Sequence, residues 1–130
     1  MNSIPVSHHD LLKDKTKAYL FLATIMPDGS PQVTPVWFSA DDEHILINTA
    51  KGRVKDKNMR ARPQVAIVIQ DPSTPYRYLQ IRGRVDVITE EGSDAHINAL
   101  SLKYSGKPWQ KTEGQTRVIY KILPEHVDAH

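Results

Sequence analysis

The sequence predicts a mainly β (α+β) fold: a six-stranded antiparallel sheet closing into a small barrel, with a few short peripheral helices. Three observations lead there. Six runs of apolar, branched and aromatic residues have strand length. Neighbouring runs are joined mostly by short turns rich in proline, glycine and aspartate. Segments with helical spacing are few and do not alternate with the strands, as the crossovers of a parallel sheet would require. The 130 residues fit one domain, taken as 1–130. A chain of this size buries ~70% of its unfolded surface, enough for a self-sufficient core.

Ser7, followed by Asp10 and the pair Leu11-Leu12, reads as the capped start of a short helix. Ala18–Ile25 (AYLFLATI) is the first strand. Pro27-Asp28-Gly29-Ser30 turns the chain, because proline presets one torsion and glycine permits a positive one. Gln32–Ser39 (QVTPVWFS) returns as the second strand, and Pro35 within it points to an edge, a bulge or an unneeded N–H. Asp41-Asp42 makes the next turn and His44–Thr49 (HILINT) is the third strand, so these runs read as a meander. Lys51–Arg62 is too charged for a strand. Val54, Asn58 and Ala61 share one helical face there, and a short helix is expected from about Arg53 to Ala61. Pro63 ends it.

Gln64–Gln70 (QVAIVIQ) is the fourth strand, and Asp71–Pro75 is a loop. In Tyr76–Ile88 the residues Leu79, Ile81, Val85 and Val87 point one way, and Tyr78, Gln80, Arg82, Arg84 and Asp86 the other. Gly83 in the middle marks a bend or a close backbone approach. Gly92–Tyr104 is a helix with Ile97, Leu100 and Tyr104 on one stripe. Ser105-Gly106-Lys107-Pro108 ends it, and Arg117–Leu123 is the last strand.

Composition removes several chemistries. The absence of cysteine excludes disulfides, thiolate metal sites, iron–sulfur clusters and a cysteine nucleophile. His8, His9, His44, His96, His126 and His130 show no metal-ligand spacing, so no metal is expected. There is no G-x-S-x-G elbow, no Walker loop and no G-x-G-x-x-G. Acidic residues fall mainly in turns and caps, so no carboxylate pair for sugar hydrolysis is suggested. No catalytic side chain stands out; an enzyme of this composition would leave the reaction to a bound organic cofactor. The opening stretch, with Asp10 and Asp14 and no long apolar run, reads as neither a secretory signal nor a transit peptide. The longest apolar runs are strand-sized, so no membrane span is expected and a cytoplasmic location is.

The formal net charge of +2 hides an asymmetry. Lys51–Arg62 holds six basic residues and one acidic, while the rest of the chain holds eleven basic and fourteen acidic. The basic segment follows a strand and opens a helix, with Gly52 at the junction. Backbone N–H groups and the positive end of a helix receive anions there, and arginine grips a phosphate with paired bonds. Spacing alone divides evenly between a phosphate clamp and a solvated basic face. Arg53, Lys57 and Arg60 share one side, Lys55 and Arg62 another, and one set is expected to face a ligand. Trp37 could flank a flat ring or lie in the core. Tyr76 and Tyr78, with Arg77, Arg82 and Arg84, could bind single-stranded nucleic acid or form a covered sheet face. Trp109 could close a pocket or pack in an interface.

Tyr19–Phe38, with its Pro27-Asp28-Gly29-Ser30 turn and Thr34-Pro35-Val36-Trp37, resembles the opening hairpin of the pyridoxamine 5′-phosphate oxidase-like split β-barrel superfamily. The likeness continues through Asn48–Met59, Asp71-Pro72 and Ile81-Arg82-Gly83-Arg84-Val85, in order and over nearly the whole chain. It is greatest to the short branch of flavin- and deazaflavin-dependent oxidoreductases.

The resemblance implies a homodimer with two equivalent cofactor sites at the subunit interface. Its cofactor is coenzyme F420 (an 8-hydroxy-5-deazaflavin) in some members and FMN in others. The family's phosphate loop corresponds to Thr49, Lys51, Arg53, Lys55 and Asn58, with the ring near Pro35, Val36 and Trp37. Tyr78 and Trp109 are candidates for a wall from the opposite subunit. The chain is short for pyridoxamine 5′-phosphate oxidase itself and has no counterpart of its C-terminal substrate motif after Leu123, so vitamin B6 oxidation is not expected. The six cations and the Arg53-x-Lys55 pair favour F420 and its polyanionic tail over FMN. The implied reaction is hydride transfer to a small conjugated or unsaturated acceptor. The rivals are a flavin-binding protein without turnover and a small barrel for single-stranded nucleic acid. Charge concentrated at one junction argues against the latter, which would be basic over a broad surface.

Overall fold

A computed structural model describes residues 3–130; among them a 3-10 helix (Val6–Leu12) precedes seven strands and two α-helices. Met1 and Asn2, the first residues of the expected domain, lie outside the described residues. In chain order the elements are β1 (Tyr19–Ile25), β2 (Pro31–Val36), β3 (Phe38–Ala40), β4 (Ile45–Ala50), α1 (Val54–Ala61), β5 (Gln64–Gln70), β6 (Tyr78–Thr89), α2 (Ser93–Ser105) and β7 (Arg117–Ala129). All seven strands form one antiparallel sheet, ordered β2-β1-β5-β6-β7-β4-β3. No helix among the described residues is long and apolar enough to cross a membrane.

The two edge strands of this sheet are consecutive in the chain. Trp37 alone separates β2, which pairs with β1, from β3, which pairs with β4. The sheet therefore curls until its edges meet at Trp37, which is why Gln32–Ser39 is two strands and not one, and why the expected meander is absent. Pro35, opposite Phe21 on edge strand β2, withholds no ladder bond that a further neighbour needs. Inside the curl, alternate residues of each strand make the core: Leu20 and Leu22, Ile45 and Ile47, Ile67 and Ile69, Leu79 and Ile81, Tyr120 and Ile122. Met59 of α1 and Leu11 of the 3-10 helix join the same cluster.

The α1 face is not Val54, Asn58 and Ala61: Val54 and Ala61 are exposed, and Asp56, Asn58 and Met59 are buried. The helix docks largely through hydrogen bonds, which apolar periodicity does not register. Asn58 Nδ2 donates to Thr24 Oγ1 (3.0 Å) and to Met26 Sδ (3.2 Å). Val87 is exposed because a register shift after Val85 leaves Asp86 unpaired and flips the alternation. β7 runs on to Ala129, past Pro124, because a second shift at Arg82/Gly83 accommodates the proline beside Gly83. The 3-10 helix has Pro5 at its N-cap, and Ser7 bonds the His8 ring (2.8 Å) instead of a backbone amide.

Candidate functional site

Where the sheet edges meet, α2 and the loop after it leave an open cavity of about 570 Å³ between β1, β2, β4, the start of α1 and the start of β7. One half of its lining is aromatic and apolar, with Tyr19, Phe21, Pro35, Val36, Trp37, Tyr104 and Trp109. Trp37 and Tyr104 stack in parallel, centroids 5.7 Å apart and planes within 2°. The Tyr104 hydroxyl donates to the Ala18 carbonyl (2.9 Å), and burial pushes its pKa up to about 12.

The other half is cationic. Arg53, Lys55 and Arg117 line it, and no carboxylate does. Among the described residues none of the three has an ion-pair partner. Arg117 is only 7% exposed. It is held by neutral groups: Nε donates to Asn48 Oδ1 (2.8 Å), Nη1 to Gln115 Oε1 (3.2 Å), and its guanidinium lies 5.9 Å from the Trp109 ring. Burial and the neighbouring Arg53 lower its pKa. Burial, with Arg53 and Arg117, also lowers that of Lys55. Thr49, 1% exposed, lines the same cavity, and its Oγ1 is a buried side-chain polar atom with no hydrogen-bond partner among the described residues.

Behind Arg117 runs a chain of neutral hydrogen bonds. Asn48 accepts from Arg117, so its Nδ2 is the donor to the Ser93 carbonyl (2.8 Å) and His96 Nδ1 (3.2 Å). His96 Nε2 therefore carries the ring proton and donates to Ser39 Oγ (2.9 Å). Burial, and secondarily Arg117, pushes His96 down to about 4 from 6.5. Between those values the unfolded chain binds the extra proton, so this group's stabilisation is complete above pH 6.5 and is lost as pH falls toward 4. Melting curves of His96→Gln should accordingly be flatter across that window than those of the parent. Parallel curves would show that another group titrates.

Of the residues singled out in the sequence, Pro35, Val36, Trp37, Thr49, Arg53, Lys55 and Trp109 line this cavity. Lys51, Asn58 and Tyr78 do not. Lys51 faces Glu90 (3.6 Å). Asn58 is buried, tying α1 to β1 through Thr24. Tyr78 stacks on His130, centroids 4.8 Å apart. The division of the basic segment follows neither face proposed from spacing. Arg60 pairs with Asp56 (2.8 Å), and Arg62 donates to the Ile25 carbonyl (2.7 Å), leaving Arg53 and Lys55 to the cavity. The tyrosine–arginine strip is also largely occupied: Arg77 is bound by Asp10 and Asp71, and Arg84 lies near Asp86 and Glu125.

Asn48, Tyr104 and Arg117 line the cavity too, outside the cationic cluster that marks Lys51–Arg62 in the sequence. Helical spacing places Tyr104 on a stripe with Ile97 and Leu100. Arg117 opens the buried run Val118-Ile119-Tyr120, and Asn48-Thr49 follows the apolar Ile45-Leu46-Ile47; a polar residue beside each apolar run is the signal the sequence offers for a polar site facing the interior.

Comparisons with known proteins fit this geometry. Residues 10–130 match the sequence family described as pyridoxamine 5'-phosphate oxidase. A solved structure named F420 Reductase superposes with a TM-score of 0.84 at 34% identity, covering 96% of this chain and 98% of its own. General Stress Protein 26 of Bacillus anthracis has the same fold, with a TM-score of 0.71 at 18% identity, 93% of this chain and 88% of its own. Pyridoxine/pyridoxamine 5'-phosphate oxidase of Rhodopseudomonas palustris is 26% identical over 115 residues, 82% of this chain and 54% of that protein. The chain thus spans about half the length of the curated relatives it matches. Matched from residue 10 to residue 130, it belongs to the pyridoxamine 5'-phosphate oxidase family.

Proposed function

We propose that this chain is an oxidoreductase that holds a phosphorylated flavin-type cofactor, coenzyme F420 ahead of FMN, in the cavity between Trp37 and Arg117. The observation that carries the reading is the buried Arg117 guanidinium, which among the described residues has no carboxylate in ion-pair contact and feels Asp94 only at longer range, beside Arg53, Lys55 and the unpartnered Thr49 hydroxyl. A buried cation is costly unless an anion reaches it. A phosphate would complete all four groups, and the adjoining aromatic half suits a flat ring. F420 is placed first because three clustered cations suit a longer anionic tail, and because the 34%-identical structure is named F420 Reductase. The substrate of the longer curated relatives is not carried over.

When bound, such a cofactor supplies hydride transfer, here to a small conjugated or unsaturated acceptor. The chain's own residues do the rest. Arg53, Lys55 and Arg117 hold the phosphate, and Thr49 adds a hydrogen bond. Trp37 and Tyr104 wall the ring side and exclude water. The lining has no carboxylate or histidine, and the Tyr104 hydroxyl is committed to Ala18, so orientation is the protein's main contribution. Arg53→Ala should weaken cofactor affinity by about 1.5–3 kcal/mol, one charge-assisted bond. Unchanged affinity for both cofactors in a fluorescence titration would remove Arg53 from the site.

The cavity opens onto an apolar sheet face that suits a second copy of the chain. Cross-strand partners share a face, and Phe21 lies between Pro35 and Val68, Ala23 between Val33 and Ala66. Val33 is 64% exposed. A homodimer covering this patch would close the cofactor site. Val68→Asp should then shift sedimentation from dimer to monomer; a parent that sediments as a monomer would contradict the pairing.

A further inference from the structure

The basic segment contains one acid, and it is buried. Asp56 is 2% exposed, in the first turn of α1. A carboxylate among cations meant for a phosphate lowers the potential they create, so its presence needs a reason. Its contacts supply one. Oδ2 accepts the Gly52 N–H (2.8 Å), Oδ1 accepts Arg60 Nε (2.8 Å), and the hydroxyl of the fully buried Tyr120 on β7 also donates to Oδ1. Burial alone would raise the Asp56 pKa; the bonds from Gly52, Tyr120 and Arg60 outweigh it and hold the carboxyl below its ordinary value. None of these contacts reaches the cavity, and Asp56 does not line it.

The two attachment points are adjacent in sequence to the two cavity cations of this segment. Gly52 immediately precedes Arg53, and Lys55 immediately precedes Asp56. Gly52 itself has a left-handed backbone, φ 94°, which turns the chain out of the sheet and aims its N–H back at the carboxylate. We propose that Asp56 is a positioning residue of the anion clamp: its carboxylate ties the Gly52–Arg53 turn and the first turn of α1 to the Tyr120 hydroxyl in the barrel wall, and so sets where Arg53 and Lys55 meet a phosphate. Arg60 is drawn to the same carboxylate from outside, which removes it from the clamp and neutralises the strut. The inference rests on the phosphate-binding reading above and adds the residue that preorganises it.

A purely stabilising acid and a positioning acid differ in phosphate selectivity. The test measures affinity for FMN against riboflavin, and for F420 against its phosphate-free chromophore, in the parent, Asp56→Asn and Tyr120→Phe, with a melting curve for each. Tyr120→Phe removes one hydrogen bond and serves if Asp56→Asn fails to fold. The expected result is a roughly tenfold fall in the preference for the phosphorylated ligand, the scale of one charge-assisted bond, with little change for the phosphate-free partner. A lowered melting temperature with the preference intact would make Asp56 structural only and overturn the inference, leaving the cofactor reading standing. A parent that binds none of the four ligands would overturn the cofactor reading first.

Discussion

Arg117→Met is expected to lower cofactor affinity by roughly 10- to 100-fold, the range of a lost hydrogen bond to a charged group, while changing the melting temperature of the unliganded protein by only a few degrees. The guanidinium sits in a low-dielectric corner with neutral hydrogen-bond partners and with Arg53 and Lys55 nearby; burial and Arg53 lower its pKa, and the more distant Asp94 offsets this only in part. Removing it relieves that burden, and methionine fills a similar volume beside Trp109. Against this, Asn48 Oδ1 loses its donor, which costs about 1–3 kcal/mol for a buried group. The two effects oppose each other, so little net stability change is expected, whereas an anion in the cavity loses its most buried cationic partner outright. A large drop in melting temperature with affinity unchanged would assign Arg117 to the scaffold instead.

Gly83→Ala is expected to be the most damaging small substitution in the barrel. A Cβ built on Gly83 runs into the Leu123 carbonyl oxygen and lies 3.1 Å from its carbonyl carbon. Both are backbone atoms of β7 at the shift where Gly83 pairs with Pro124, so no side chain can swing aside. β6 and β7 are the longest strands and join the two halves of the sheet. Separating them costs on the order of 1–3 kcal/mol by overpacking, a fall of roughly 5–10 °C in melting temperature for a domain of this size. A melting temperature unchanged from the parent would show that the two strands stand further apart than described.

The contrast between Gly83 and Trp37 shows what a linear reading reaches. Gly83 interrupts an alternating strand, so a bend or a close backbone approach follows from local pattern alone, and the Leu123 carbonyl decides for the approach. The division of Gln32–Ser39 at Trp37 does not, because each half is acceptable strand and the break exists only because the halves pair with strands at opposite sheet edges. Val87 and the far end of β7 fail for the same reason: register shifts belong to a pair of strands, and neither sequence carries them alone.

In the site, the cluster Lys51–Arg62 was legible as charge, but its division was not. Arg60 and Arg62 are taken by Asp56 and the Ile25 carbonyl, partners that only the tertiary fold supplies. Arg117 lies 64 positions beyond Arg53 and joins it through the β4–β7 pairing, in which Ala50 faces Arg117. A search for clustered cations along the chain passes over it. Asn58, aligned with a phosphate loop by resemblance, serves Thr24 instead.

The most direct test is an equilibrium fluorescence titration of the unaltered protein with F420, with FMN and with a single-stranded oligonucleotide, each at low and high salt. Saturable binding of F420, tighter than FMN and at one site per chain, with no comparable hold on the oligonucleotide, is the expected result. Retention of the oligonucleotide in a steeply salt-dependent way, with neither cofactor bound, would contradict the cofactor reading and return the cationic cluster to nucleic-acid binding.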